Sequence, residues 1–136
     1  MYNKQGVNVE TLTMEDAMAQ EEITRKVELA WLMAFYGGML TEKQRQALRL
    51  HCEEDMSLGE IAQETGVSRQ GVHDMLTRAA RKLFEMEDKL GMAARFQKMD
   101  DGLEKCRQLM QLQRYDEAEQ ALNALIRLDR EENDGL

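Results

Sequence analysis

The 136-residue sequence has no proline, two cysteines and few aromatic residues: three Phe, three Tyr and one Trp. Without proline, no helix loses an N–H donor within its length. Cys52 and Cys106 lie far apart and neither belongs to a Cys-x-x-Cys pair, which argues against a zinc site or a disulfide framework. The longest apolar run, residues 29–36, is too short to cross a bilayer, and the first residues do not form a signal-peptide pattern. We therefore expect a cytoplasmic protein with reduced thiols, no membrane insertion, and no metal or other cofactor.

Patterns typical of enzymes are also missing. The sequence contains no glycine-rich phosphate loop, no constellation of paired carboxylates, and no Cys/His pairing at a motif spacing. The eleven methionines recur at helical spacings, which is typical of side chains that fill a core. We therefore predict that the protein is not an enzyme.

Helix-forming residues dominate what is present. Ala, Leu, Met, Glu, Gln and Arg are abundant, 43% of residues are hydrophobic, and no run of alternating β-branched residues occurs. Straight-chain side chains lose little rotamer freedom in a helix, and a strand would require the alternation that is missing. The sequence predicts an all-α fold.

Residues 57–72, SLGEIAQETGVSRQGV, form the most informative segment of the chain. Ser57 and Ser68 are good N-caps for two successive helices, because a serine hydroxyl accepts a free N–H of the first turn. Gly66 lies where the first helix should end in a left-handed conformation, and Val72 should face inward. This pattern predicts a helix-turn-helix, which places its second helix in the major groove of DNA.

The charge distribution both supports and weakens this interpretation. The formal net charge is −8, which is the wrong sign for a general DNA-binding protein. Residues 68–83, however, carry Arg69, Arg78, Arg81 and Lys82 against Asp74 alone, a local charge of +3. Few phosphates can be neutralised by so small a set, so we expect weak and salt-sensitive DNA binding by a monomer.

The boundaries predicted from the sequence divide the chain into four parts. Residues 1–13 form a mobile arm, residues 14–91 the helix-turn-helix domain, residues 92–131 a C-terminal helical hairpin, and residues 132–136 a frayed tail. The hairpin prediction depends on two amphipathic stretches. Apolar residues recur along the first stretch at spacings of three and four: Phe96, Met99, Leu103, Cys106 and Met110. The segment from Arg114 to Leu122 is similar to one tetratricopeptide hairpin, although a single repeat cannot form a solenoid.

The first predicted helix is apolar on all sides over residues 29–36. A helix that is buried on one side only does not need this coverage. We therefore expect the second side to pack against another subunit, which predicts a homodimer.

Three separated segments carry a family resemblance. They resemble, in the same order, three sequence motifs of the YlxM family of small bacterial proteins. The segments are residues 35–44 (FYGGMLTEKQ), 55–62 (DMSLGEIA) and 67–74 (VSRQGVHD). The resemblance implies an all-helical fold with a helix-turn-helix similar to region four of sigma factors. It also implies DNA binding and a role accessory to the signal recognition particle pathway. In the third motif, Gly71 and His73 occupy the positions where the family has Ala and Tyr.

The leading functional hypothesis is a DNA-binding regulator that contacts double-stranded DNA through the second helix. Arg69 and Gln70 lie at the helix start, where Arg can bind guanine and Gln can bind adenine. Ser68 and Arg78 are expected to contact phosphates, and Asp74 to orient Arg78 one turn away. The predicted nucleic-acid-binding residues are Ser68, Arg69, Gln70, His73, Asp74, Thr77 and Arg78.

Two alternatives stay open at this stage. The acidic net charge and the C-terminal hairpin favour a protein- or particle-binding helical module that does not contact bases. Components of the signal recognition particle are the candidate partners that the resemblance implies. The RNA of the signal recognition particle has less support as a ligand, because the sequence has no evident aromatic stacking platform.

Overall fold

A computed structural model describes residues 13–134 of the chain. The described residues form six α-helices, with one turn of 3-10 helix at Gly37–Met39 and no strand. The helices are α1 (Met14–Tyr36), α2 (Glu42–Cys52), α3 (Leu58–Thr65), α4 (Arg69–Leu90), α5 (Met92–Gln111) and α6 (Tyr115–Asp134). The prediction of an all-α fold is confirmed. The chain forms two compact units, which divide between Lys89 and Leu90.

Three of these helices begin with a capping box, which sets their first residue from local sequence alone. The Thr41 hydroxyl accepts from the Gln44 N–H at 3.1 Å, and the Gln44 side chain accepts from the Thr41 N–H at the same distance. Thr13 with Asp16 and Ser57 with Glu60 form the same reciprocal pair. Each box satisfies N–H groups that have no partner within the helix.

The core of the first unit joins α1, α2, α3 and α4. Its largest fully buried side chains are Leu48, Ile61, Val72 and Leu83, and burying side chains of this size stabilises a fold by about 1.5–3 kcal/mol each. Polar contacts at the edge of the core hold α4 in place. The Tyr36 hydroxyl donates to Glu87 Oε1 at 2.6 Å.

The second unit is a hairpin of α5 and α6, as predicted. Cys106 and Leu109 of α5 are buried, as are Ala118 and Leu125 of α6. Gly102 lies at the closest approach, because a Cβ added there would be 2.8 Å from Leu125 Cγ.

The side of α5 that faces α6 coincides only in part with the apolar side that its periodicity indicated. Of the five predicted residues, Cys106 is buried and Met99 is half-buried, whereas the other three are exposed. Phe96 is 50% exposed, Leu103 51% and Met110 56%. Small residues allow the close approach of α6, so the contact forms around Gly102 and Cys106, and larger side chains remain at its border.

The predicted chain ends are only partly within the described residues. Of the arm at 1–13, only Thr13 is described, and it is the N-cap of α1. Helix α6 continues to Asp134, beyond the predicted end of the hairpin at 131, whereas residues 135 and 136 lie outside the described range. Over residues 13–134, no helix has both the length and the apolar character needed to span a membrane.

Candidate nucleic-acid interface

The turn between α3 and α4 has the geometry that the sequence predicts. Gly66 adopts a left-handed conformation with φ 73°, and its N–H donates to the Ala62 carbonyl at 2.9 Å. Two residues later, the Ser68 hydroxyl accepts from the Gly71 N–H at 3.0 Å. Left-handed backbone strains residues that carry a Cβ, so Gly66 permits the abrupt change of direction and Ser68 caps the helix that follows.

Helix α4 has a buried side and an exposed side over its first three turns. Val72 and Ala79 are buried, and Met75 is partly buried against the core around Ile61. The residues predicted to contact nucleic acid are all exposed: Ser68, Arg69, Gln70, His73, Asp74, Thr77 and Arg78. The helical period brings the last six together on one side of α4.

The first turn of α4 lies beside the start of α3. Arg69, Gln70 and His73 line a shallow groove of about 400 Å³ together with Leu58, the first residue of α3. In helix-turn-helix proteins these two helix starts lie closest to the DNA backbone and bases. The groove therefore presents a guanidinium, an amide and an imidazole at one place.

Asp74 makes a different contact from the predicted one. Its Oδ1 accepts a hydrogen bond of 3.0 Å from Gln70 Nε2 and lies 3.6 Å from His73 Nδ1. The predicted pair with Arg78 is not among the ion pairs formed by the described residues. Both Gln70 and Arg78 lie four residues from Asp74, and the side chain of Asp74 extends toward the N-terminal one.

Gly71 occupies a crowded position in the first turn. A Cβ on this residue would be 2.8 Å from Val67 Cγ1 and 3.0 Å from Ser68 Oγ. Alanine has the higher intrinsic helix propensity, but here it would require the side chain of Val67 or Ser68 to move. With these rotamers, glycine fits the first turn without any adjustment.

A second, larger cleft adjoins this groove, shares Leu58 and His73 with it, and was not predicted from the sequence. It has a volume of about 550 Å³, and its walls come from α1, the α2–α3 connection and α4, including Leu29, His51, His73 and Thr77. His51 Nδ1 lies 3.3 Å from the Met56 carbonyl oxygen. These elements are distant in sequence, so no local spacing could have indicated the cleft.

One ion pair fixes the wall of this cleft. Lys26 Nζ lies 2.6 Å from Asp55 Oδ1, and Asp55 has a left-handed backbone with φ 53°. The hydrogen bond with Asp55 raises the pKa of Lys26, and the same bond lowers the pKa of Asp55. Burial raises the pKa of the neighbouring Cys52 thiol, which keeps that thiol protonated and unreactive. Among the described residues, no cluster of His, Cys, Asp or Glu has the arrangement of a metal site.

The short helix α3, the left-handed turn at Gly66 and the capped helix α4 with its exposed polar side define a helix-turn-helix protein. A family model described as "Putative helix-turn-helix protein, YlxM / p13 like" (UPF0122) matches residues 23–124. The chain belongs to this family, and the resemblance to YlxM proteins is confirmed.

Relatives from several bacteria are similar to the chain over most of their length. A UPF0122 protein of Bacillus mycoides strain KBAB4 is 37% identical over 109 residues, which cover 79% of this chain and 99% of the relative. A UPF0122 protein of Bacillus thuringiensis strain Al Hakam has the same identity and coverage. One from Halalkalibacterium halodurans is 38% identical over 100 residues, 74% of this chain and 92% of the relative.

Proposed function

We propose that this protein is a non-enzymatic DNA-binding regulatory protein that contacts duplex DNA through the first three turns of α4. The observation that carries the proposal is the exposure of all seven predicted contact residues, six of which lie on the side of α4 opposite its buried residues. Arg69 and Gln70 are suited to the major-groove edges of guanine and adenine. Ser68 and Arg78 are suited to phosphates, which position the protein without specifying sequence.

We also infer that the protein binds DNA as a homodimer. One copy of α4 offers four basic side chains between residues 68 and 83, in a chain of net charge −8. Since each neutralised phosphate adds to affinity, a single copy should bind weakly. Two copies would place two recognition helices on successive half-sites about 34 Å apart.

Fluorescence anisotropy with labelled duplex pools tests the DNA proposal at several salt concentrations. We expect binding at low salt that weakens steeply as salt is added. Arg69→Ala should lower affinity and relax base preference, with a change of about 1–3 kcal/mol for a lost base contact. Arg130→Ala removes the same charge from the exposed surface of α6 and should change affinity little. Absence of binding at low salt, or equal effects of the two substitutions, would contradict the proposal.

A second candidate function is a particle- or protein-binding module, with a component of the signal recognition particle as its partner. The hairpin favours it, because Leu103, Met110, Leu122 and Ile126 are between 42% and 56% exposed. An apolar cleft of about 270 Å³ lies among Met110, Tyr115 and Leu122. Apolar surface of this kind is typical of interaction sites.

Affinity capture with and without nuclease separates the two candidates. If the leading proposal is correct, Leu122→Asp should leave DNA affinity unchanged while Arg69→Ala lowers it. A particle component that is retained after nuclease treatment, and lost on Leu122→Asp, would favour the second candidate. Leu122 is 43% exposed, so its substitution should leave the hairpin folded, which circular dichroism checks.

A further inference from the structure

Helix α1 carries a second apolar stripe on the side opposite its buried residues. Leu29 and Leu32 lie in the core. Ile23, Val27, Ala30 and Ala34 follow one another at spacings of four, three and four residues on the other side. This is the spacing of a helix that packs along a second helix. Ile23 is 59% exposed and Val27 is 65% exposed, so more than half of the surface of each of these two large side chains is open to solvent.

The order of sizes along this stripe is specific to one kind of pairing. The two large residues come first and the two alanines come last. In an antiparallel pair with a two-fold axis between residues 28 and 29, Ile23 lies opposite Ala34 of the second copy, and Val27 lies opposite Ala30. Every large side chain then faces a small one, which gives even packing. A parallel pair would place alanine against alanine and leave a gap at that end.

The charges at the two ends of α1 favour the same orientation. The first turns of α1 contain Glu15, Asp16, Glu21 and Glu22, and within α1 no Lys or Arg precedes Arg25. Residues 37–52, which follow the other end, carry Lys43, Arg45 and Arg49 against Glu42 alone. Arg45 is exposed, and its Cδ lies 4.0 Å from the position a Cβ would take on Gly37. Antiparallel pairing brings the acidic end of one copy to the basic end of the other, whereas parallel pairing brings acidic ends together.

We propose that two copies of this chain associate through an antiparallel contact between their α1 helices, centred between residues 28 and 29. The inference deepens the homodimer proposed above by naming its surface and orientation, and it does not depend on DNA binding. Residues 21–36 of the two copies overlap, about 24 Å of helix at a rise of about 1.5 Å per residue. A contact of this length is at the small end of specific interfaces, so the dimer should dissociate at low concentration.

Disulfide cross-linking tests the orientation. In a full-length background with Cys52→Ala and Cys106→Ala, one preparation carries Ile23→Cys and another carries Ala34→Cys. Antiparallel pairing places residue 23 beside residue 34 of the other copy, but places the two copies of residue 23 about 16 Å apart, too far for a disulfide. We expect oxidation to link the mixed preparations and to leave each single preparation largely unlinked. Efficient linking within either single preparation, or no linking in the mixture, would overturn the proposal.

Analytical ultracentrifugation tests the surface itself. Val27→Asp places a charge on the stripe, whereas Met18→Asp places the same charge at a position of nearly equal exposure, 66%, on another side of the same helix. We expect Val27→Asp to raise the dimer dissociation constant by at least about tenfold, equivalent to about 1.4 kcal/mol, and Met18→Asp to change it little. Circular dichroism establishes that both variants are folded.

A monomeric wild-type protein at tens of micromolar, or equal effects of the two variants, would overturn the proposal. Loss of DNA binding by Arg69→Ala with an unchanged dimer would show that assembly and DNA contact are separate.

Discussion

Gln70 Nε2 donates a hydrogen bond of 3.0 Å to Asp74 Oδ1 on the exposed side of α4. The amide proposed to contact adenine is therefore already engaged by a carboxylate one turn later. Asp74 has two effects on the proposed interface: its charge repels phosphate, and its oxygen holds one of the two N–H donors of the Gln70 amide. The bond also restricts the orientations in which Gln70 can meet a base.

Asp74→Ala should therefore strengthen DNA binding several-fold, with the larger gain at low salt where phosphate repulsion is least screened. Anisotropy titrations at two salt concentrations measure the change. Asp88→Ala is the matched control, because Asp88 is exposed on the same helix but lies more than three turns away. A similar gain from both substitutions would mean that only the net charge of the chain matters.

The Lys26–Asp55 pair should make stability depend on pH at both ends of the scale. Asp55 has a lowered pKa, so its stabilising contribution is present above its unfolded value of about 3.9 and is lost as pH falls through the folded value. Lys26 has a raised pKa, so its contribution is present below about 10.4 and is lost as pH rises through the folded value. The ion pair should therefore contribute fully between about pH 5 and pH 9.

Asp55→Asn isolates this contribution, since Asn tolerates the left-handed backbone of residue 55. We expect the urea midpoint of the variant to be lower than that of the wild type at neutral pH, and the difference to shrink as pH falls below about 3.9 and through the lowered pKa of Asp55. Fluorescence of Trp31, the single tryptophan, follows unfolding of the first unit. Glu54→Gln, at an adjacent exposed carboxylate, should show no such convergence.

Two glycines of the helix-turn-helix should respond to alanine with opposite signs. Gly66 has φ 73°, so Gly66→Ala should lower the free energy of unfolding by about 1–2 kcal/mol. Gly59 lies in the first turn of α3, where a Cβ would meet only Ser57 Oγ at 4.0 Å. Gly59→Ala should therefore raise stability by up to about 1 kcal/mol through the lower entropy of the unfolded chain. Urea unfolding of both variants measures the difference, and a loss of equal size at both positions would contradict it.

The hairpin should be sensitive to added volume at Gly102. A Cβ on Gly102 would be 2.8 Å from both Cγ and Cδ1 of Leu125, so Gly102→Ala should destabilise the α5–α6 contact by about 1–3 kcal/mol. Amide hydrogen exchange of α5 reports this local loss. In a Leu125→Ala background the clash is absent, and Gly102→Ala should then have little effect. An equal loss in both backgrounds would show that Gly102 acts through the backbone and not through Leu125.

The features predicted correctly from sequence are those fixed by neighbouring residues. Ser57, Gly66 and Ser68 each act on backbone groups within three or four residues, so their residue types alone indicated the two helix boundaries and the turn. The periodicity of α4 likewise separated buried Val72 from exposed His73. Local spacing is sufficient for such features.

Features that depend on contact between distant segments could not be predicted in the same way. Lys26 and Asp55 are 29 residues apart and meet only because α1 passes the α2–α3 connection. Gln70 and Arg78 are each four residues from Asp74, so the sequence spacing permits a bond to either of them. Only the side-chain geometry shows that Asp74 bonds Gln70. On α5, periodicity correctly indicated Cys106 as buried, but it also indicated Phe96 and Leu103. The close approach of α6 at Gly102 leaves those two side chains about half exposed.

The three capping boxes have a consequence for how quickly the chain folds. Each box is complete within four residues, so α1, α2 and α3 can nucleate at their native first residue before any long-range contact forms. Helix nucleation and the docking of nearby helices are rapid, and a chain with no proline is free of the isomerisation that delays many proteins for tens of seconds. Refolding should therefore be complete in well under a second, which leaves little time for the exposed stripe of α1 to meet a partner before its own unit has formed.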